Sequence, residues 1–145
     1  MSMPVRAQGL FVLLLLGACG ERTDLSYDEI VDEYREEYGP FSSCGVDTTD
    51  CETGARTAAA CLASAITTCT PVEHVLLDFD EGETATTFVT RVGDSCEVIV
   101  LRDFGPNPLG ADYEQQRCDS VEISDLPPCI SFRGCDVEKR WDHRR

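Results

Sequence analysis

Hydrophobic positions change their spacing along the chain, and the changes divide it into elements. Leu25-Ser26-Tyr27-Asp28-Glu29-Ile30 opens a helix. Ser26 caps it and Glu29 reaches back, while Leu25 and Ile30 close a hydrophobic staple. Tyr27, Ile30, Val31, Tyr34 and Tyr38 follow at helical spacing and form the face turned to the core. Asp28, Asp32, Glu33, Glu36 and Glu37 fill the opposite face, and Gly39-Pro40 ends the helix. Cys44 to Cys51 encloses Gly, Asp and Thr residues and reads as a loop. A second, Ala-rich helix spans about 54–68, with Ala58, Cys61, Leu62, Ala65 and Cys69 on one broad face.

Beyond Pro71 the period shortens to two. The spacing predicts strands at Val72–Phe79, Thr84–Val92 and Ser95–Phe104, with Gly93-Asp94 as a two-residue hairpin turn. Val98-Ile99-Val100-Leu101 is unbroken, which places that strand at the centre of a sheet covered on both faces. Gln116–Ile123 reads as a fourth strand, and Pro127-Pro128 breaks the chain before an irregular end between Cys129 and Cys135. Two helices ahead of a three- or four-stranded antiparallel meander is an α+β fold, with both helices on one face. That order of elements is similar to the cystatin-like and nuclear-transport-factor-like architectures. The similarity implies no residue roles.

The chain has 145 residues, enough for one domain. It carries 12 Lys+Arg against 27 Asp+Glu, a formal charge of −15. A nucleic-acid binder needs a basic face to displace counterions, so that class is excluded.

Residues 1–18 read as an export signal. Arg6 supplies the basic start, and Leu10–Leu16 is a run of seven apolar residues. A spanning helix needs roughly 20, so the run is too short to cross a bilayer. Leu16-Gly17-Ala18-Cys19 directly after it resembles the lipobox of bacterial lipoproteins. The resemblance implies cleavage before Cys19, acylation of that cysteine with palmitate-type chains, and anchoring to a membrane. Each buried CH₂ of an acyl chain contributes about 0.8 kcal/mol, and two or more chains hold stably. Gly20 after the cysteine implies, by analogy, sorting to the outer membrane. Cleavage leaves 145 − 18 = 127 residues with a net charge of 11 − 27 = −16. Residues 19–25 then form a lipidated tether, 26–138 one disulfide-rich domain, and 139–145 a basic tail containing Lys139, Arg140, Arg144 and Arg145.

Removing Cys19 from the nine cysteines leaves eight: Cys44, Cys51, Cys61, Cys69, Cys96, Cys118, Cys129 and Cys135. An even set in an oxidising compartment implies four disulfides. None of these cysteines shows the close pairing of a zinc site. Cys61 and Cys69 lie about 12 Å apart along a helix, beyond disulfide reach, so each must bond elsewhere.

Two strings resemble chemistry. Gly93-Asp94-Ser95 resembles the Gly-Asp-Ser of serine hydrolases, with His74 as the base within the chain. A nucleophile needs a base within hydrogen-bond reach that is itself held by a third group; His74 would meet this only by chance, and the string reads as a hairpin turn. Asp78, Asp80, Glu81 and Glu83 form an acidic turn that departs from the EF-hand spacing and would hold Ca²⁺ only weakly. The expectation is a non-enzymatic, cofactor-free, monomeric envelope protein, binding an envelope protein or glycan or serving a structural role. The competing class is a cystatin-like protease inhibitor presenting the 105–110 loop.

Overall fold

The computed structural model describes residues 21–48, 55–78, 82–105, 112–126 and 128–143. The elements in chain order are β1 (Glu21–Thr23), α1 (Tyr27–Tyr38), β2 (Ser42–Thr48), α2 (Ala55–Thr68), β3 (Val72–Asp78), β4 (Glu83–Val92), β5 (Ser95–Asp103), β6 (Tyr113–Cys118), β7 (Ser120–Ile123), β8 (Ile130–Arg133) and β9 (Asp136–His143). Seven strands form one sheet in the order β1-β9-β6-β5-β4-β3-β2, and β7 and β8 pair as a separate ribbon. The sheet is mixed. β1 runs parallel to β9 and β2 parallel to β3, while the other neighbours are antiparallel.

This corrects the expected α+β meander in two ways. The sheet is twice as wide, and its helices lie on opposite faces. β2, α2 and β3 form a crossover that puts parallel strands side by side, and the helix must then cover a sheet face. The cross-strand register shows which face. Phe88 pairs with Ile99 and Thr86 with Leu101, and these side chains cluster with Tyr27, Ile30, Val31 and Tyr34 of α1. Val89 pairs with Val98, one residue along and therefore on the other face, with Leu62 and Ala65 of α2 against Val89. The ribbon packs on this second face too, through Ile130, Val121 and Phe132.

The expected central strand is β5, fourth of seven, with Val100 and Leu101 buried to opposite sides. The helix α1 begins as its residues dictate. Ser26 Oγ accepts from the Glu29 N–H, and the Ser26 N–H donates to Glu29 Oε2 at 2.7 Å. Four members of its apolar stripe are buried, while Tyr38 remains exposed.

The stretch expected as a basic tail is mostly strand. β9 runs to His143, and Arg144 and Arg145 lie outside the described residues. Its charges have partners on β6 and nearby. Arg140 Nε binds Glu114 at 3.1 Å, and Glu138 receives Arg117 at 2.6 Å. Trp141 joins the α1 cluster. The expected tether holds β1 at the opposite edge from β2. Gln116–Ile123 is not one strand: it splits at Asp119 between sheet and ribbon.

Tyr27 ties α1 to the sheet. Its hydroxyl accepts the Thr86 N–H at 3.0 Å and donates to the Leu101 carbonyl at 2.8 Å. Burial pushes its pKa up to about 12, partly countered by the hydrogen bonds from Thr86, and burial raises Tyr34 as well. An unfolded tyrosine ionises near 10, so the folded state holds its proton longer. The stabilisation from Tyr27 is complete below pH 10 and is lost as pH rises through about 12, a change of roughly 2–3 kcal/mol. Urea unfolding across this range should show falling stability, with tyrosinate absorbance appearing later in the folded than in the unfolded chain. Identical titrations of both states would contradict the packing.

Candidate functional site

The second face of the sheet grades from apolar to charged along the strands. Val72, Val89, Val98 and Cys118 make its first cross-strand row. His74, Thr87, Val100 and Gln116 make the second, and Leu76, Ala85, Arg102, Glu114 and Arg140 the third. The covering pieces, α2 and the ribbon, meet over the first two rows.

The second row contains a fully buried polar pair. Asp47 of β2 and His74 of β3 each expose 1% or less, and His74 Nε2 lies 2.5 Å from Asp47 Oδ2. Thr87 stands directly across from His74 on β4. Asp47 Oδ1, His74 Nδ1 and Thr87 Oγ1 are buried without hydrogen-bond partners among the described residues. A buried pair of this kind is costly to form and costlier to break on one side. Sequence reading missed it because Asp47 sits in a stretch rich in turn residues. The partner that makes it a strand residue is 27 positions away.

Three disulfides hold the cover in place. Cys44–Cys61 joins β2 to α2, Cys69–Cys96 joins the end of α2 to β5, and Cys118–Cys135 closes the base of the ribbon, with Cα separations of 5.5, 5.5 and 4.0 Å. Cys61 and Cys69 thus bond elsewhere, as their helical spacing requires. Cys69 adopts a left-handed conformation (φ 52°) where α2 ends. Cys129 is also disulfide-bonded, and Cys51 and the lipobox Cys19 lie outside the described residues.

At the third row the cover stops short and leaves a cleft of about 440 Å³ between the sheet and the ribbon. Leu76, Ala85, Ile130 and Phe132 give it apolar walls, and Glu83 and Arg102 give it charge. Arg102 Nη2 donates to Glu83 Oε2 at 3.0 Å, and the guanidinium lies 5.1 Å from the Phe104 ring centre. Gln116, also in the cleft, donates to Glu114 at 2.9 Å. The volume falls within the range of small-molecule sites, which combine apolar walls with a few polar groups.

The structure does not bring Ser95 and His74 together. Ser95 pairs with Val92 at the exposed hairpin, whereas the His74 row crosses β5 at Val100. Five residues of strand, about 17 Å, separate the two rows. His74 is also sealed from solvent. Of the acidic turn, Asp78 and Glu83 are register partners at the β3–β4 hairpin, and Asp80 and Glu81 lie outside the described residues. Glu83 is committed to Arg102. No group of three or more His, Cys, Asp or Glu among the described residues is placed to hold a metal ion. Of the 105–110 loop only Gly105 is described. No protein-family model, curated protein or solved structure matches the chain.

The buried pair serves the fold, and substitution separates that role from chemistry. Asp47→Ala leaves His74 unsatisfied and should cost about 3 kcal/mol in urea unfolding. Replacing both, Asp47→Leu with His74→Leu, should recover most of that loss. A double variant no more stable than Asp47→Ala would show that the pair does more than satisfy itself.

Proposed function

We propose that this protein is a lipid-anchored extracytoplasmic binding module of the bacterial cell envelope, without catalytic activity. The observation that carries the reading is the disulfide framework, which ties α2 and the ribbon to the sheet through three crosslinks. Such crosslinks belong to oxidising compartments. Leu16-Gly17-Ala18-Cys19 after the apolar run supplies the route to that compartment and the anchor. No helix among the described residues is long and apolar enough to cross a membrane, so the reading rests attachment on the acyl chains alone. Cys19 precedes β1 by two positions in the sequence, so acylation there would hold the domain near the bilayer surface, and Gly20 by analogy would direct it to the outer membrane.

The reading assigns binding to the cleft beneath the ribbon. Leu76, Ala85, Ile130 and Phe132 line it beside Gln116 and Ser131, and its charges are paired. No histidine is among its lining residues to activate the Ser131 hydroxyl, as acyl transfer would require. The even set of eight cysteines is fully oxidised in this account, with Cys51 in the fourth bridge.

Mass spectrometry of protein expressed in a bacterial host should find an acylated Cys19 at the mature N-terminus. Cys19→Ala should move the protein from the membrane fraction to the soluble one. Alkylation of the unreduced protein should add no label. A mature N-terminus at another residue, insensitive to a signal peptidase II inhibitor, would overturn the anchor. Two or more reactive thiols would overturn the compartment.

A further inference from the structure

We propose that the cleft beneath the β7–β8 ribbon binds a small apolar zwitterion, an α-amino acid with a hydrophobic side chain. This deepens the binding-module reading and rests on it.

The charge of the cleft selects the ligand. Glu83 and Arg102 stand side by side on adjacent strands, joined by a single hydrogen bond at 3.0 Å and partly exposed, 25% and 31%. That bond uses one of the five guanidinium N–H donors and one of the two carboxylate oxygens. Neither side chain makes another hydrogen bond among the described residues. Phe104 lies against the guanidinium and limits its swing. The cleft wall therefore offers donors beside acceptors, with no net charge. A simple anion would satisfy Arg102 and be repelled by Glu83. A simple cation would meet the reverse. A ligand carrying carboxylate and ammonium on one carbon matches both at once, because its opposite charges are as close together as those of the pair.

The rest of the cleft selects what that carbon carries. Leu76 and Ala85 come from the sheet, Ile130 and Phe132 from the ribbon, and they enclose the space beyond the charge pair. At about 440 Å³ the whole cleft has room for a small molecule such as an amino acid with its side chain, and not for a folded partner. Longer peptides carry their termini far apart and lose the match to the pair. The Cys118–Cys135 disulfide at the ribbon's base keeps Phe132 over the sheet. The site is therefore built before a ligand arrives, which lowers the ordering cost of binding.

The test is calorimetry on the full chain carrying Cys19→Ala, with three probes. L-phenylalanine has both charges, N-acetyl-L-phenylalanine lacks the ammonium, and L-phenylalaninamide lacks the carboxylate. L-phenylalanine should bind, and each of the others should bind at least about tenfold more weakly. Arg102→Gln should abolish the preference for phenylalanine over the amide. Glu83→Gln should abolish the preference over the N-acetyl form, so either variant suffices if the other fails to fold. Phe132→Ala should weaken phenylalanine without changing either preference. No binding of any probe at millimolar concentration, or equal binding of all three, would overturn the proposal. An acylated Cys19 in the native protein together with no probe binding would overturn the ligand class alone. Zwitterion-selective binding with an unacylated N-terminus would support the ligand class and overturn the anchor.

Discussion

A seven-stranded sheet with a buried centre needs cover on both faces, and this chain has only two helices with which to supply it. That constraint orders the whole molecule. α1 covers the centre of one face with an aromatic cluster of Tyr27, Tyr34, Phe41 and Phe88, anchored by the Tyr27 hydroxyl. The other face is left to α2 and the two-stranded β7–β8 ribbon, which cover it with Leu62 and small side chains such as Ala59 and Ala65 from the helix and with Ile130 and Phe132 from the ribbon. The alanines of α2 bury less apolar area than the aromatic side chains of the opposite face. Crosslinks add to this packing. Each closes a loop of 17 or 27 residues, in the range where a disulfide contributes roughly 2–4 kcal/mol.

The incomplete cover accounts for the cleft. An apolar row and a buried polar row lie where α2 and the ribbon meet, and the row that carries Arg102 and Glu114 lies where they part. The Asp47–His74 bond sits at the inner boundary between these zones and fastens edge strand β2 to β3. A carboxylate buried at an edge would otherwise draw water in and loosen the strand. Farther out, Arg102 and Glu83 neutralise each other within reach of solvent. The cleft thus sets apolar side chains of the sheet and ribbon beside a partly exposed ion pair, an arrangement suited to an amphipathic small molecule.

Legibility in the sequence followed from how local each signal is. Both helices and strands β3, β4 and β5 declare themselves through capping, period and turn residues within a dozen positions. β2 does not. Ser42–Thr48 contains Gly45 at φ 98° and only one aliphatic side chain, and that side chain, Val46, is exposed. Its stability comes from a parallel partner, a disulfide and His74, all supplied by later segments. β9 hides in the same way. Lys139-Arg140-Trp141 reads as the start of a basic tail until β6 pairs with it and presents Glu114 to Arg140. Without β2 as a strand, the crossover is invisible, and both helices default to one face. The cleft was illegible for the same reason. Arg102 and Glu83 are 19 positions apart, and the ribbon residues opposite them read as irregular chain. The cysteine set was legible as a set, because parity and compartment need no contacts. Its pairings required the fold.

The account holds that apolar packing is enough to hold α1, β4 and β5, whereas α2, the ribbon and hence the cleft need the disulfides in addition to their own packing. Amide hydrogen exchange on the oxidised protein and again after reduction under native conditions tests this most directly, because it resolves stability element by element. The account predicts that reduction strips protection from α2, β7 and β8 while α1, β4 and β5 remain protected. Loss of protection in β4 and β5 together with α2, or full retention in α2 and the ribbon, would contradict it.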